Sequence, residues 1–341
     1  MTPLPWHRAV LQQLLAVRER MPHAVLVQGR EGIGKLDFAR ALAAGALCES
    51  PRAGLACGEC PSCHWFSQGN HPDFREIVPE AAQEEEEGGE AESPKGEKAK
   101  SVFVKIEQIR DVADFISLTT HRAGYRVLLI HPAESMLPAA ANALLKTLEE
   151  PPPHTMIVLV SGQPARLLPT IRSRCRAVTL VPPPRAEALA WLREQGIGGA
   201  ESALATAGGA PLLARDLAEP GEAALRKKIL DELARGVGDV PAFAASLEKG
   251  ALGRFLFWMQ TWVHDLVRVR VAGSPRHHVE YAKALQSRAR GADLERLLAL
   301  DRELVEARRL ASHPLNPRLV AEHLLMAYNR AFVSEHRESR A

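Results

Sequence analysis

Residues 29–35 carry the pattern Gly-x-x-x-x-Gly-Lys, between a short apolar run at 24–27 and a segment with helical spacing at 36–44. A strand, a glycine-rich loop and a helix N-terminus in this order direct backbone N–H groups and the positive end of the helix dipole at a phosphate. The pattern therefore predicts an α/β domain with a buried parallel strand and a nucleotide loop. The candidate phosphate-binding residues are Gly29, Gly32, Gly34 and Lys35.

The residues that should handle Mg²⁺ and water are missing. Leu36 follows the loop lysine, where the hydroxyl of a Ser or Thr normally ligates the metal. We expect a second strand at 127–130 beside the first, and the two acid positions that follow it hold His131 and Pro132. Glu134 lies beyond these positions, and the positioning of water does not tolerate such a shift. The three losses predict a chain that does not hydrolyse ATP, while weak phosphate binding by the loop stays compatible with the sequence.

A third strand is expected at 156–161, and two motifs on either side of it resemble a known family. The first is residues 142–152, Asn-Ala-Leu-Leu-Lys-Thr-Leu-Glu-Glu-Pro-Pro, and the second is Ser173-Arg174-Cys175. Together they resemble the AAA+ subunits of sliding-clamp loaders. The resemblance implies a P-loop AAA+ module (a parallel sheet with helices on both faces), a small helical lid and an all-α C-terminal collar domain. The broken loop and missing acids resemble those subunits of the family that do not hydrolyse ATP.

The resemblance also implies a role for Arg174. In the clamp-loader family the arginine of the Ser-Arg-Cys motif is an arginine finger, which enters the ATP site of the neighbouring subunit and neutralises charge on the γ-phosphate. A finger supplied in trans increases turnover by ~10³–10⁵ in GTPases, and lysine lacks the planar guanidinium that this requires. An ordinary surface arginine is the alternative interpretation. By the same resemblance, Pro211 stands where the family has a further ATP-sensing arginine.

Four cysteines lie within one short segment with the spacing C-x₈-C-x₂-C-x₂-C: Cys48, Cys57, Cys60 and Cys63. Two tandem C-x₂-C steps suit four thiolates around a tetrahedral Zn²⁺, and a site closed by four protein ligands is structural. An iron–sulfur cluster is also compatible with the spacing, whereas a redox pair needs only two cysteines. The resemblance to clamp-loader subunits agrees with zinc. The neighbouring His71 is expected to be an ordinary surface or loop residue.

Composition limits the remaining interpretations. Lys and Arg number 43 against 41 Asp and Glu, which gives a net charge of +2, and this balance argues against a protein that coats DNA. The N-terminus lacks a signal-like apolar core and no apolar run approaches the ~20 residues of a membrane span, so we expect a cytoplasmic protein. Residues 80–100 are rich in Glu and Lys and predict a disordered insertion. An acidic segment that mimics DNA is the alternative.

The predicted domains are the AAA+ module at 1–182, which includes the cysteine segment at 48–63, a helical lid at 183–221 and a helical collar at 222–341. Glu149 and Glu150 end a predicted helix at a point where its dipole disfavours acids, which indicates a contact role, for example with a neighbouring subunit. An aromatic and apolar stripe in the collar has helical spacing and is expected to be core rather than a base-stacking surface. Its members are Phe255, Trp258, Met259, Trp262, Leu266 and Val269.

The sequence predicts a non-hydrolysing subunit of a replicative clamp loader, which acts as a rigid stator and supplies Arg174 in trans while the sliding clamp is loaded on primed DNA. By resemblance, its partners are the ATP-hydrolysing gamma/tau subunits and the delta subunit, and DNA synthesis belongs to the polymerase complex rather than to this chain. Two alternatives remain open. One is an ATP-hydrolysing motor subunit of gamma/tau type, and the other is a zinc-containing nucleic-acid-binding module on a relic nucleotide fold.

Overall fold

The computed structural model describes residues 3–82, 101–117, 124–247, 250–310 and 316–332. The greater part of the predicted insertion at 80–100 lies outside the described residues. The chain divides into two compact units, 1–187 and 188–341. The domain boundaries predicted at 182 and 221 stay predictions.

The first unit is built on a five-stranded parallel sheet with the strand order β2-β3-β4-β1-β5. The strands are β1 (Ala24–Gln28), β2 (Phe74–Ile77), β3 (Arg126–Ile130), β4 (Thr155–Ser161) and β5 (Arg176–Thr179). Every residue of β3 and β4 is buried, as expected for parallel strands that are covered on both faces. The prediction that β3 lies directly beside β1 is wrong, because β4 pairs with both of them.

Helices cover both faces of this sheet, as predicted. They are α1 (Arg8–Leu15), α2 (Lys35–Leu47), α3 (Pro61–Ser67), α4 (Ile106–Ser117), α5 (Pro138–Glu149) and α6 (Pro169–Arg172). On one face, α4 and α5 bury Ile109 and Leu144 against Leu26, Leu128 and Ile157 of the strands. Neighbouring residues of a strand point to opposite faces of the sheet. On the face opposite to α4 and α5, α2 packs against β1, β3 and β4.

The second unit is helical wherever the structure describes it as regular. Its helices are α7 (Arg185–Glu194), α8 (Ala200–Thr206), α9 (Pro211–Leu217), α10 (Pro220–Arg235), α11 (Val240–Ala245), α12 (Leu252–Ala272), α13 (Ala282–Arg290), α14 (Leu294–Leu310) and α15 (Pro317–Arg330). The aromatic stripe of α12 is core, as predicted, since Trp258 and Trp262 have no exposed surface. Trp262 Nε1 donates to Tyr328 Oη at 3.0 Å, and that hydroxyl donates to Leu233 O at 2.8 Å. Among the helices of the described residues, none is long and apolar enough to cross a membrane.

Candidate functional site

The glycine loop forms the predicted connection between β1 and α2. Gly34 precedes α2 with a φ of 88°, a left-handed conformation that favours glycine. The N-terminal segment packs on this loop, because Trp6 Nε1 donates to Ile33 O at 3.0 Å and a Cβ on Gly34 would lie 2.3 Å from Leu4 Cδ1. His7 is buried beside them, and burial lowers its pKa to about 4. Apolar and aromatic side chains therefore cover one side of the loop.

The loop lysine is engaged by groups of its own chain. Lys35 Nζ donates to the carbonyl oxygen of Arg30 at 2.7 Å. Burial lowers the pKa of Lys35, and the carboxylates of Glu31 and Glu134 act in the opposite direction without reversing the shift. The ammonium group that would hold phosphate oxygens in an active P-loop thus already has a carbonyl and two acids around it.

Glu134 connects the end of β3 to the end of β4. Its Oε1 accepts hydrogen bonds from the backbone N–H groups of Gly162 at 3.0 Å and Gln163 at 3.2 Å. A Cβ on Gly162 would lie 3.5 Å from this oxygen and 3.9 Å from Lys35 Nζ, so both side chains flank the same small space. A carboxylate in this place repels the phosphates of a nucleotide.

Beside the end of β3, the carboxylate of Glu76 has two basic partners. His131 Nε2 lies 3.0 Å from Glu76 Oε1, and Arg40 Nη2 lies 2.8 Å from the same oxygen. Burial alone would raise the pKa of Glu76, but His131 and Arg40 outweigh burial, so that the pKa is lowered. Glu76 is therefore an ionised partner of Arg40 and His131. The carboxyl ends of parallel strands lie at the same edge of the sheet. Glu76, near the end of β2, is therefore on the same edge as the glycine loop that follows β1.

Arg174 lies between α6 and β5, and its guanidinium is partly exposed. Nη2 lies 2.7 Å from Oε1 of Glu149, which is the last residue of α5. Nη1 donates to Thr170 O at 2.9 Å. The side chains of Arg174 and Glu149 are 36% and 50% exposed, so another molecule can reach the pair. The contact role that the sequence indicates for Glu149 is thus a contact with Arg174 of the same chain.

Buried neighbours fix the backbone on both sides of this arginine. Ile171 has no exposed surface and belongs to the same core as Leu144 and Leu148 of α5. Cys175 packs against that core, and burial raises the pKa of its thiol to about 11. The predicted motif therefore forms a short, anchored loop that presents one arginine.

Arg174 and the glycine loop lie at opposite edges of the sheet. The register of the parallel pair β1–β5 matches Val25 with Arg176 and Gln28 with Thr179. Arg174 precedes β5 and is therefore close to the amino end of β1, whereas residues 29–35 follow its carboxyl end. At ~3.3 Å per residue, the intervening strand alone separates the two by ~10 Å.

The four cysteines of the predicted metal centre come together at the far end of α2. Their sulfurs all lie within 4.8 Å of one another, with 3.9 Å between Cys48 and Cys60 and 3.9 Å between Cys57 and Cys63. Tetrahedral coordination with metal–sulfur bonds of ~2.3 Å requires sulfurs ~3.8 Å apart. The donor set and its dimensions therefore suit a single metal ion.

Backbone N–H groups point at these sulfurs, as they do around metal-bound thiolates. Cys57 N donates to Cys48 Sγ at 3.3 Å, and Cys60 N and Glu59 N approach Cys57 Sγ at 3.3 and 3.5 Å. Hydrogen bonds from the Glu59 and Cys60 N–H groups lower the pKa of Cys57 to about 6. Burial acts in the opposite direction on Cys48 and Cys63 and raises the pKa of both thiols.

His71 lies in a loop, which is one of the two predicted positions, but it is buried and is not a surface residue. It is 2% exposed, and its Nε2 lies 2.7 Å from Ser62 Oγ, which donates to Leu47 O at 2.7 Å. Its Nδ1 accepts from Asp73 N at 3.0 Å. His71 therefore joins the start of α3 to the end of α2 and to the approach to β2.

The fold and these sites define a class, the AAA+ clamp-loader subunits with a degenerate P-loop. The family described as DNA polymerase III, delta subunit, matches residues 7–184, and the family described as DNA polymerase III, delta subunit, C terminal, matches residues 220–329. Subunit delta-prime of Pseudomonas aeruginosa DNA polymerase III is 35% identical over 274 residues, which is 78% of each chain. The chain belongs to the delta-prime family of DNA polymerase III subunits.

Two further relatives bear on the alternatives. Subunit delta-prime of Escherichia coli K12 is 32% identical over 281 residues, 80% of this chain and 77% of the relative. Subunit tau of the same organism is 35% identical over 156 residues, but these are 46% of this chain and 21% of tau. The likeness to delta-prime subunits thus extends over much more of the chain than the likeness to tau.

Proposed function

We propose that the chain is the non-hydrolysing subunit of a replicative clamp loader, and that it supplies Arg174 in trans to the ATP site of a neighbouring ATPase subunit. Its partners in this proposal are gamma/tau-type ATPase subunits and a delta subunit. The assembly places a sliding clamp on primed DNA, and this chain acts within it as a stator that does not turn over ATP.

The position of Arg174 carries the proposal. It is exposed on an anchored loop, at the edge of the sheet opposite to the chain's own glycine loop. A γ-phosphate within its reach must therefore be bound by another chain. A preorganised cation at the phosphoryl group stabilises the charge that develops in the transition state, and this effect does not require the donor of the cation to bind nucleotide itself.

The chain's own loop supports the absence of hydrolysis. Leu36 has no oxygen for Mg²⁺, and His131 stands at the end of β3 in contact with Glu76. Glu134 is bound to backbone N–H groups of the loop after β4. Metal binding and water activation thus lack their donors in this proposal, while Gly29, Gly32, Gly34 and Lys35 stay candidates for weak phosphate binding.

Zinc is the metal that we assign to the cysteine centre. Four thiolates in tetrahedral dimensions form a closed site with no position for substrate, which is typical of structural zinc. Cys48 follows α2 directly and Cys63 belongs to α3, so the bound ion would hold two helices together. When bound, zinc supplies cross-linking and no chemistry at the nucleotide loop.

The purified chain, given ATP and Mg²⁺, is expected to release phosphate at the rate of a control that contains a metal chelator. The measurement is a coupled phosphate-release assay, with the ATPase partner subunit as the active reference. The variant Lys35→Ala identifies contaminating ATPases, because their activity does not depend on this lysine. Turnover that needs both Mg²⁺ and Lys35 would contradict the proposal and favour the gamma/tau motor alternative.

Leu36→Ser restores the hydroxyl of the P-loop and is expected to leave the chain without ATP turnover, because the end of β3 still offers His131 rather than an acid. The same assay measures this, together with binding of a fluorescent ATP analogue. Strong Mg²⁺-dependent hydrolysis by this variant would mean that only Leu36 separates the chain from an active ATPase, and that the arrangement of His131 and Glu134 has been misinterpreted.

A further inference from the structure

A charged residue of α5 contacts Arg174, and the proposed function assigns it no role. Glu149 is the last residue of α5, where the negative end of the helix dipole disfavours a carboxylate. Its neighbour Glu150 is exposed as well, but Glu149 is the one whose Oε1 lies 2.7 Å from Arg174 Nη2. Glu149 thus combines an unfavourable helix position with a close contact to the guanidinium of Arg174.

The contact defines the direction in which the guanidinium is held. Thr170 O accepts from Nη1 at 2.9 Å while Glu149 lies against Nη2, so two nitrogens of a planar group are fixed by two different elements. A guanidinium has five N–H donors, and three of them are left over when these two contacts are counted. The group can therefore keep both contacts and still donate to phosphate oxygens.

The buried residues next to Glu149 and next to the arginine loop belong to the same apolar core. Leu148, the residue before Glu149, and Ile171, which precedes the arginine loop, are 2% and 0% exposed in one apolar cluster. Movement of the carboxylate relative to the arginine loop would therefore require that cluster to repack. Arginine side chains have several rotatable bonds, and an unrestrained finger would have to be ordered again in each catalytic cycle.

We propose that Glu149 is a positioning residue for Arg174: it holds the guanidinium in the geometry that the neighbouring ATP site receives. The inference rests on the proposed function, because Glu149 can position Arg174 for catalysis only if Arg174 is the arginine finger. Glu149 does not touch the nucleotide in this arrangement. It acts through Arg174, and its effect should appear in the rate of hydrolysis rather than in the binding of ATP.

The test uses the clamp loader reconstituted from this chain and its ATPase partners. Glu149→Ala is expected to lower kcat at the ATP site that faces this chain by ~10- to 10²-fold, the range for a misplaced catalytic group, with KM for ATP unchanged. Glu149→Gln keeps a neutral acceptor, so its kcat should lie between that of the wild-type complex and that of Glu149→Ala. Glu150→Ala is the matched control, because it removes an exposed acid from the next position, and it should leave kcat unchanged.

A double-mutant cycle separates positioning from a merely structural effect. Glu149→Ala added to Arg174→Ala should cause no further loss of kcat, because the carboxylate acts only through the arginine. Equal losses in both backgrounds, or an unchanged kcat in Glu149→Ala alone, would overturn the inference. If Arg174→Ala itself left hydrolysis unchanged, the proposed function would fail, and this outcome is distinct from the other two. Thermal unfolding of each variant, with Glu149→Gln as the milder change, excludes misfolding as the cause.

Discussion

Arg174→Ala is expected to lower hydrolysis at the ATP site that faces this chain by ~10³-fold or more, the lower end of the effect of arginine fingers supplied in trans. Removal of the guanidinium leaves the charge on the transferred γ-phosphoryl group without its counter-ion in the transition state. In a rapid-quench experiment on the reconstituted complex, the burst of phosphate should lose the contribution of this one site. The other sites keep their own fingers and should retain their rates.

Arg172→Ala is the matched control, because Arg172 is the last residue of α6, two residues before Arg174, and is exposed. Its loss should leave the burst unchanged. Arg174→Ala should also leave the fold intact, because exposed ion pairs such as that of Arg174 with Glu149 contribute only ~0–1 kcal/mol. Arg174→Lys is expected to recover little activity, since an ammonium cannot present the planar fork. A full-sized burst from Arg174→Ala complexes that assemble normally would refute the assignment of the finger.

Cys60→Ser is expected to abolish stable zinc binding and to destabilise the first unit. Residues that only orient a metal ligand contribute ~10- to 100-fold to metal affinity. The loss of a thiolate that binds the metal directly should therefore lower zinc affinity by more than ~100-fold. Because binding of a structural metal is coupled to folding, the unfolding temperature and the solubility should fall together with the zinc content. Elemental analysis of the purified chain and thermal unfolding with and without a chelator measure both effects.

Cys175→Ser is the control for this experiment, since the fifth cysteine lies outside the cluster and should leave one zinc per chain. Visible charge-transfer absorption from the wild-type chain would identify an iron–sulfur cluster and contradict zinc. A Cys60→Ser chain that is well folded and free of metal would show that the cysteine segment does not need an ion for stability.

Local patterns were sufficient to predict several elements of the first unit. The apolar runs of β1, β3 and β4, the glycines before α2 and the prolines around α5 are each properties of a few neighbouring residues. The cysteine spacing predicted the cluster for the same reason, because most of its geometry is set by two tight turns. The aromatic stripe of α12 was interpretable as core because its period of 3.6 residues is a local signal.

Contacts between distant segments could not be predicted in the same way. The placement of β4 between β1 and β3 depends on how the whole chain winds, and it is this order that allows Glu134 to reach the N–H groups of Gly162 and Gln163. The burial of His71 depends on Ser62 of α3 and on Asp73. A histidine next to a cysteine cluster carries no local signal that separates a core residue from an exposed one.

The separation of Arg174 from the glycine loop by the length of a strand has a consequence for the symmetry of the proposed assembly. A subunit that donates an arginine from one edge and binds ATP at the other joins its neighbours head to tail, and such heterologous contacts extend into rings or filaments. In the proposal, this chain retains the donating edge, while its receiving edge does not support hydrolysis. Placed in a row of active subunits, it would therefore give the row a polarity and a defined terminus.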